Sequence, residues 1–194
     1  MGSIMQDYRK NKALFCCILS ATMLSSWNSS YAGDLFVKIE QAKLTYTPGK
    51  AMLEADLGFQ LSATAEDALH SGISLYWDVS LEIKQKQWPG VWYKTLLEQS
   101  HRYSLSYYTL LNKYRLRDEQ NQVFIRFSNL SEALTYMRHI RYQNLPMYAY
   151  REDQCVTSVL NVIFDKEMLP APLRPIAYFD QQWDLSANER QWCE

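Results

Sequence analysis

A mainly β protein, built as an antiparallel β-sandwich of the immunoglobulin or C2 kind with two short helices, is the fold that this sequence of 194 residues predicts. Three observations predict it. Residues 73–84 alternate without a slip: Ile73, Leu75, Trp77, Val79, Leu81 and Ile83 face one way, and Ser74, Asp78, Ser80, Glu82 and Lys84 the other. Turn signals recur between apolar runs of strand length. Helical spacing appears in only two short segments, so strands must supply most of the core. A closed β-barrel of the same strands is the alternative architecture.

The first 32 residues are expected to stand outside the fold. Arg9, Lys10 and Lys12 form a basic region, residues 13–24 are free of charge, and Ser30 and Ala32 place small residues at −3 and −1 of a cleavage site. This reads as a secretory signal peptide over residues 1–32, followed by a single domain over residues 33–194. Left uncleaved, the segment would be an N-terminal membrane anchor, although it is shorter than the roughly 20 apolar residues a span needs. Cys16 and Cys17 would leave with the signal. Losing Arg9, Lys10, Lys12 and Asp7 leaves 17 Lys and Arg against 20 Asp and Glu, a net of −3 where the whole chain carries −1.

Residues 35–46 read as a first strand, Thr47-Pro-Gly-Lys50 as a tight turn and residues 52–61 as its return. Gly58 inside that second strand marks a bulge or a close backbone approach. Thr64, with Glu66 and Asp67 behind it, reads as a helix start, and Gly72 as its stop. The long alternating strand follows, then Trp88-Pro-Gly-Val-Trp92 as a turn, then Tyr103, Leu105 and Tyr107 on a returning strand. Leu110, Tyr114 and Leu116 have the opposite parity, so a bulge or bend is expected between residues 108 and 111. Lys113, Arg115 and Arg117 line one side of the next strand, as a solvated row or an anion site.

Val123, Ile125 and Phe127 begin another strand. Asn129, with Glu132 three residues on, caps a second helix whose apolar face is Leu130, Ala133, Leu134 and Met137. His139 falls late in that helix. Residues 155–164 form the last strong strand. Pro170, Pro172 and Pro175 imply an extended, non-helical segment, and Trp183 and Trp192 pin the tail to the body.

Near-balanced charge excludes a nucleic-acid surface, which would show clustered cations. There is no phosphate-cradling loop, dinucleotide fingerprint or Gly-x-Ser-x-Gly elbow. His70, His101 and His139 follow no metal-ligand spacing, and no cofactor is expected. Ser100 with His101, and Asp78 with Glu82, could be imagined as parts of a hydrolytic site; on a water-facing strand side they read more simply as a solvated face. Export would permit a bridge between Cys155 and Cys193, the two cysteines left after cleavage, or they remain as two thiols. Trp88, Trp92 and Tyr93, at a turn stiffened by Pro-Gly, are the best guess for a contact surface; the other reading is that they close the end of the sandwich.

A family resemblance rests on four stretches in order. They are Phe59-Gln-Leu with Ala65-Glu-Asp-Ala-Leu-His-Ser-Gly-Ile-Ser-Leu, and Arg102-Tyr-Ser-Leu-Ser-Tyr107 with Leu111-Asn-Lys-Tyr114. Phe127-Ser-Asn-Leu-Ser-Glu-Ala-Leu134 follows, then Leu169-Pro-Ala-Pro-Leu173 with Trp183-Asp-Leu-Ser186. Together they resemble the exported bacterial proteins of the domain-of-unknown-function family DUF4390. The resemblance implies an export signal and one small periplasmic domain, and supplies no catalytic or cofactor-binding residue to carry over. Members are often encoded near a membrane-bound sensor kinase, which implies an accessory role in envelope signalling. The expectation is therefore a non-enzymatic protein-interaction module with an envelope protein partner, no nucleic acid and no transmembrane span in the mature chain. The alternative is a protein that binds or hydrolyses cell-wall carbohydrate.

Overall fold

The computed structural model describes residues 36–87, 92–146 and 156–193. All of them fall in one compact unit, Leu35–Glu194. The expected signal peptide, Trp88 and Cys155 lie outside the described residues.

Strands β1 (Val37–Thr47) and β2 (Lys50–Phe59) make the first hairpin. Its turn is possible because Gly49 takes φ +76°, a conformation that costs a residue with Cβ. Gly58 is a close approach: a Cβ there would lie 2.6 Å from Cε and 2.8 Å from Cγ of Lys38, its partner on β1. Helix α1 (Ala63–His70) begins one residue before the expected Thr64, because Ser62 and not Thr64 is the cap. The Ser62 hydroxyl accepts from the Ala65 amide at 3.1 Å.

β3 (Leu75–Gln87) and β4 (Trp92–Tyr108) form the long central hairpin. Leu75, Trp77, Val79, Leu81 and Ile83 are all buried, as the alternation requires. The change of parity after Tyr107 is a hairpin turn: β4 stops at Tyr108, the chain turns through residues 109–112 with Asn112 at φ +49°, and β5 (Lys113–Asp118) returns. Tyr107 consequently pairs with Tyr114, and odd and even exchange faces without a fault in the core. β6 (Val123–Phe127) completes this run of neighbours.

Helix α2 (Leu130–Met137) is capped as its sequence predicts. Asn129 Oδ1 accepts from the Glu132 amide at 2.8 Å, and Glu132 Oε2 accepts from the Ser128 amide at 3.2 Å. The chain then leaves directly into β7 (His139–Pro146), so His139 opens a strand and does not lie in the helix. β8 (Val156–Phe164) follows. Pro175 sits in the first turn of a third helix, α3 (Arg174–Phe179), where proline lacks no needed donor; the proline-rich segment is not extended throughout. The tail adds β9 (Ala187–Cys193).

The strands form two open antiparallel sheets, β1-β2-β7 and β6-β5-β4-β3-β8-β9, with no closed barrel. Their apolar faces meet as a sandwich. Phe59 of the small sheet sets its edge against Trp77 of the large one, ring centres 5.1 Å apart. Trp77 also lies 5.4 Å from the Phe164 ring and donates its indole N–H to the Leu185 carbonyl at 3.1 Å. Trp183 is buried beside Phe164, as the expected anchor of the tail.

Candidate functional site

Two places stand out, and the first is the end of the central hairpin. Trp92 pairs with Gln87 and Tyr93 with Lys86, so both aromatics lie on the last rungs before the turn. They do not close the sandwich: Trp92 is 70% exposed and Tyr93 55%. Trp88, the third residue expected there, lies outside the described residues.

The second place is a cleft between the sheets. One side of the sandwich is tied shut, because Arg190 of β9 donates to the carbonyls of Glu40 at 2.9 Å and Ile39 at 3.3 Å on β1. On the other side β6 and β7 end their sheets, with α2 set between them in the chain. There a cavity of about 1000 Å³ opens. Its floor is apolar, from Leu57, Phe59, Trp77, Val79, Leu116 and Val162, and its rim includes Asp118, Val123, Ile125, Tyr136, His139 and Arg141. Protein interiors seldom leave space beyond a water molecule, and ligand sites commonly hold 300–1,000 Å³, so this gap departs from ordinary packing.

A polar cluster lies at one end. The His101 ring stacks on Tyr142 of the opposite sheet with centres 4.2 Å apart. Its Nε2 bonds the Gln99 side chain at 3.2 Å, while Nδ1 stands 3.8 Å from Asp118, beyond hydrogen-bond reach. Burial above all pushes the Tyr103 phenol up to about 12. Tyr142 is raised further, first by burial and then by Tyr103. The two phenols are close enough to interact, yet no bond of good geometry satisfies the Tyr142 hydroxyl. Both are therefore neutral at physiological pH.

Of the groups imagined as hydrolytic, Ser100, Asp78 and Glu82 share the outer face, and the pleat sets His101 apart from them. Asp78 points outward and takes two bonds from Arg102, 2.8 and 2.7 Å, with Asp165 adding a third at 3.1 Å. This pairing, led by the bond to Asp78, holds the Arg102 guanidinium above its ordinary pKa. Glu82 pairs with Lys84 at 2.7 Å. His101 lies opposite Val79 on the core face, so it cannot join Asp78 or Glu82. Its parity with Tyr103 and Leu105 was the available signal. The other histidines are dispersed, His70 bonded to the Tyr114 hydroxyl at 2.7 Å and His139 to Asp56 at 2.6 Å. Among the described residues no group of three His, Cys, Asp or Glu side chains is placed to hold a metal.

The row Lys113, Arg115, Arg117 does face outward, and Arg126 of β6 joins it directly opposite Arg115. Arg115 lies over the rings of Tyr108 (4.8 Å) and Phe124 (5.7 Å), and Arg126 over Phe124 (5.0 Å). Lys113 bonds Ser128 and Arg117 bonds Gln122. Among the described residues none of these four cations forms an ion pair with a carboxylate. Cys193 is disulfide-bonded to a sulfur outside the described residues.

The family profile described as "Domain of unknown function (DUF4390)" matches residues 36–193. No curated protein and no solved structure matches the chain.

Proposed function

Because the chain belongs to the DUF4390 family, a domain of unknown function, over residues 36–193, we propose that it is an exported, non-enzymatic protein-interaction module of the cell envelope. The observation that carries the reading is the pair of large aromatics, Trp92 and Tyr93, standing in solvent at the end of a hairpin whose strands run 13 and 17 residues. Aromatics of this kind form the anchors of binding surfaces, because they bury much area with few rotatable bonds. Trp88 is included in the proposed contact on its sequence alone.

Export into the periplasm is supported by the basic and apolar N-terminus and by the disulfide at Cys193, which an oxidising compartment preserves. Cys155 is its proposed partner: Thr157, two residues on, pairs with Cys193 across β8 and β9. Among the described residues no helix is long and apolar enough to cross a membrane. The partner proposed is a membrane protein of the envelope, with the family's gene neighbourhood pointing to a sensor kinase.

The test places a photoreactive side chain at Trp92 in the full-length protein, in its native envelope, and identifies the adducts by mass spectrometry. One reproducible membrane protein is expected. A Trp92→Ala/Tyr93→Ala variant should lose that partner while its unfolding free energy stays within about 0.5 kcal/mol, the usual range for surface changes. Undiminished partner recovery by the variant would remove the proposed surface. Glycan adducts, with retention on cell wall that soluble sugar competes away, would transfer the function to carbohydrate binding.

A further inference from the structure

An edge strand carries unpaired backbone N–H and C=O groups, and proteins normally blunt it with charge, proline, bulges or cover. The four sheet edges here differ in this respect. β1 carries Lys38, Glu40 and Lys43, with a register shift between Ile39 and Gln41. β9 carries Glu189 and Arg190 and is tied to β1. β7 carries His139 and Arg141, slips register against β2 and ends at Pro146. β6 has none of these devices beyond Arg126: it reads Val123-Phe-Ile-Arg-Phe127, is of average strand length, and leaves Val123 53% and Phe124 50% exposed.

The two faces of β6 lead to different surroundings. Val123 and Ile125 look into the inter-sheet cleft. Phe124 and Arg126 lie on the outer face, where Arg126 stands directly opposite Arg115. Like charges in directly opposed positions destabilise a sheet, and no carboxylate among the described residues relieves this pair.

We infer that β6 is a strand-addition site, taking an extended segment of a partner polypeptide whose side chains alternate between apolar and acidic. The segment would satisfy the free edge of β6 with main-chain hydrogen bonds, seat its apolar side chains in the cleft, and set its acidic ones beside Arg126 and Arg115. The inference rests on the interaction-module reading and names the chemistry of the partner. Charge selects a polypeptide partner over a second copy of this chain, because β6 paired with β6 would bring another Arg115 and Arg126 onto the same face.

The test uses the protein as purified from the envelope, with three synthetic peptides: alternating valine and glutamate, alternating valine and lysine, and a scrambled valine–glutamate control. Hydrogen exchange read by mass spectrometry should slow in β6 on adding the first peptide, with binding roughly tenfold tighter than to the lysine peptide. Arg126→Glu should reverse that preference, a result that misfolding cannot imitate. Val123→Lys, at a half-exposed position, should remove binding of either peptide while thermal unfolding stays cooperative. Equal binding of both charged peptides, no slowed exchange in β6, or an unreversed preference in Arg126→Glu would each overturn the inference. So would a concentration-dependent dimer protected at β6, which would make a second copy the occupant. A Trp92 crosslink that persists while β6 stays silent leaves the interaction-module reading standing and removes only strand addition. An acidic peptide that binds β6 in a protein giving no envelope crosslink reverses that assignment.

Discussion

Replacing Trp77 by Phe isolates what joins the tail to the core. The indole is fully buried between Phe59 and Phe164, and its N–H is bonded to the Leu185 carbonyl, itself within a fully buried residue. Phenylalanine keeps an aromatic ring there but cannot donate. Leaving that carbonyl without its partner costs about 1–3 kcal/mol. The missing ring atoms give up contacts and leave a small void, adding about 1–2 kcal/mol. The sum, about 2–5 kcal/mol, is a large share of the 5–15 kcal/mol that holds a domain folded. Urea unfolding of the two proteins gives the difference directly, and hydrogen exchange in residues 180–193 should quicken in the variant. A loss below about 1 kcal/mol, with exchange in that segment unchanged, would refute the reasoning: the tail would then be held by Trp183 and β9, and the indole bond would be incidental.

Two further outcomes follow from the cleft and from the sulfur chemistry. The Tyr103 phenol, at about 12 in the fold against about 10 unfolded, binds its proton more tightly in the native state, so its contribution is constant below pH 10 and is lost as pH rises toward 12. Unfolding free energies from urea titrations between pH 8 and 11.5 should fall by about 1.4 kcal/mol per pH unit from this group above pH 10; a Tyr103→Phe variant with the same alkaline slope would contradict that origin. For the cysteines, thiol labelling of protein isolated without reductant should modify neither Cys155 nor Cys193 until reductant is added, and reduction should cost about 4 kcal/mol for a loop of this length. Both thiols reacting before reduction would disprove the proposed pair.

What could be read in the residues was whatever has a short period. The β3 alternation, the Asn129–Glu132 cap and the turn at Gly49 are local, and each is where the sequence places it. β7 escaped notice because its pattern is broken: Ile140 and Tyr142 point inward, then Asn144 takes φ +58° and Leu145 resumes one residue late. β9 is a polar edge whose pairing, and not its composition, makes it a strand. The third helix hid behind its prolines. Of the candidate surfaces, the hairpin end was legible because two tryptophans flank Pro-Gly. The cleft was not, since its walls come from seven strands and one helix and no segment shows a gap between sheets.

The order of the strands also sets an order in time. β3, β4, β5 and β6 are joined to their sequence neighbours by hairpins, and such contacts close quickly. The small sheet is complete only when Ile140 finds Ala55, and the large one only when Leu160 finds Leu81, each after a long intervening chain has been made and gathered. The early meander therefore waits with one flank of β3 unpaired and with His101 uncovered by Tyr142. The stacking of those two rings marks the moment at which the sandwich shuts. Until then Leu75, Trp77, Val79, Leu81 and Ile83 stand without their cover, and that interval is when the chain is most open to aggregation.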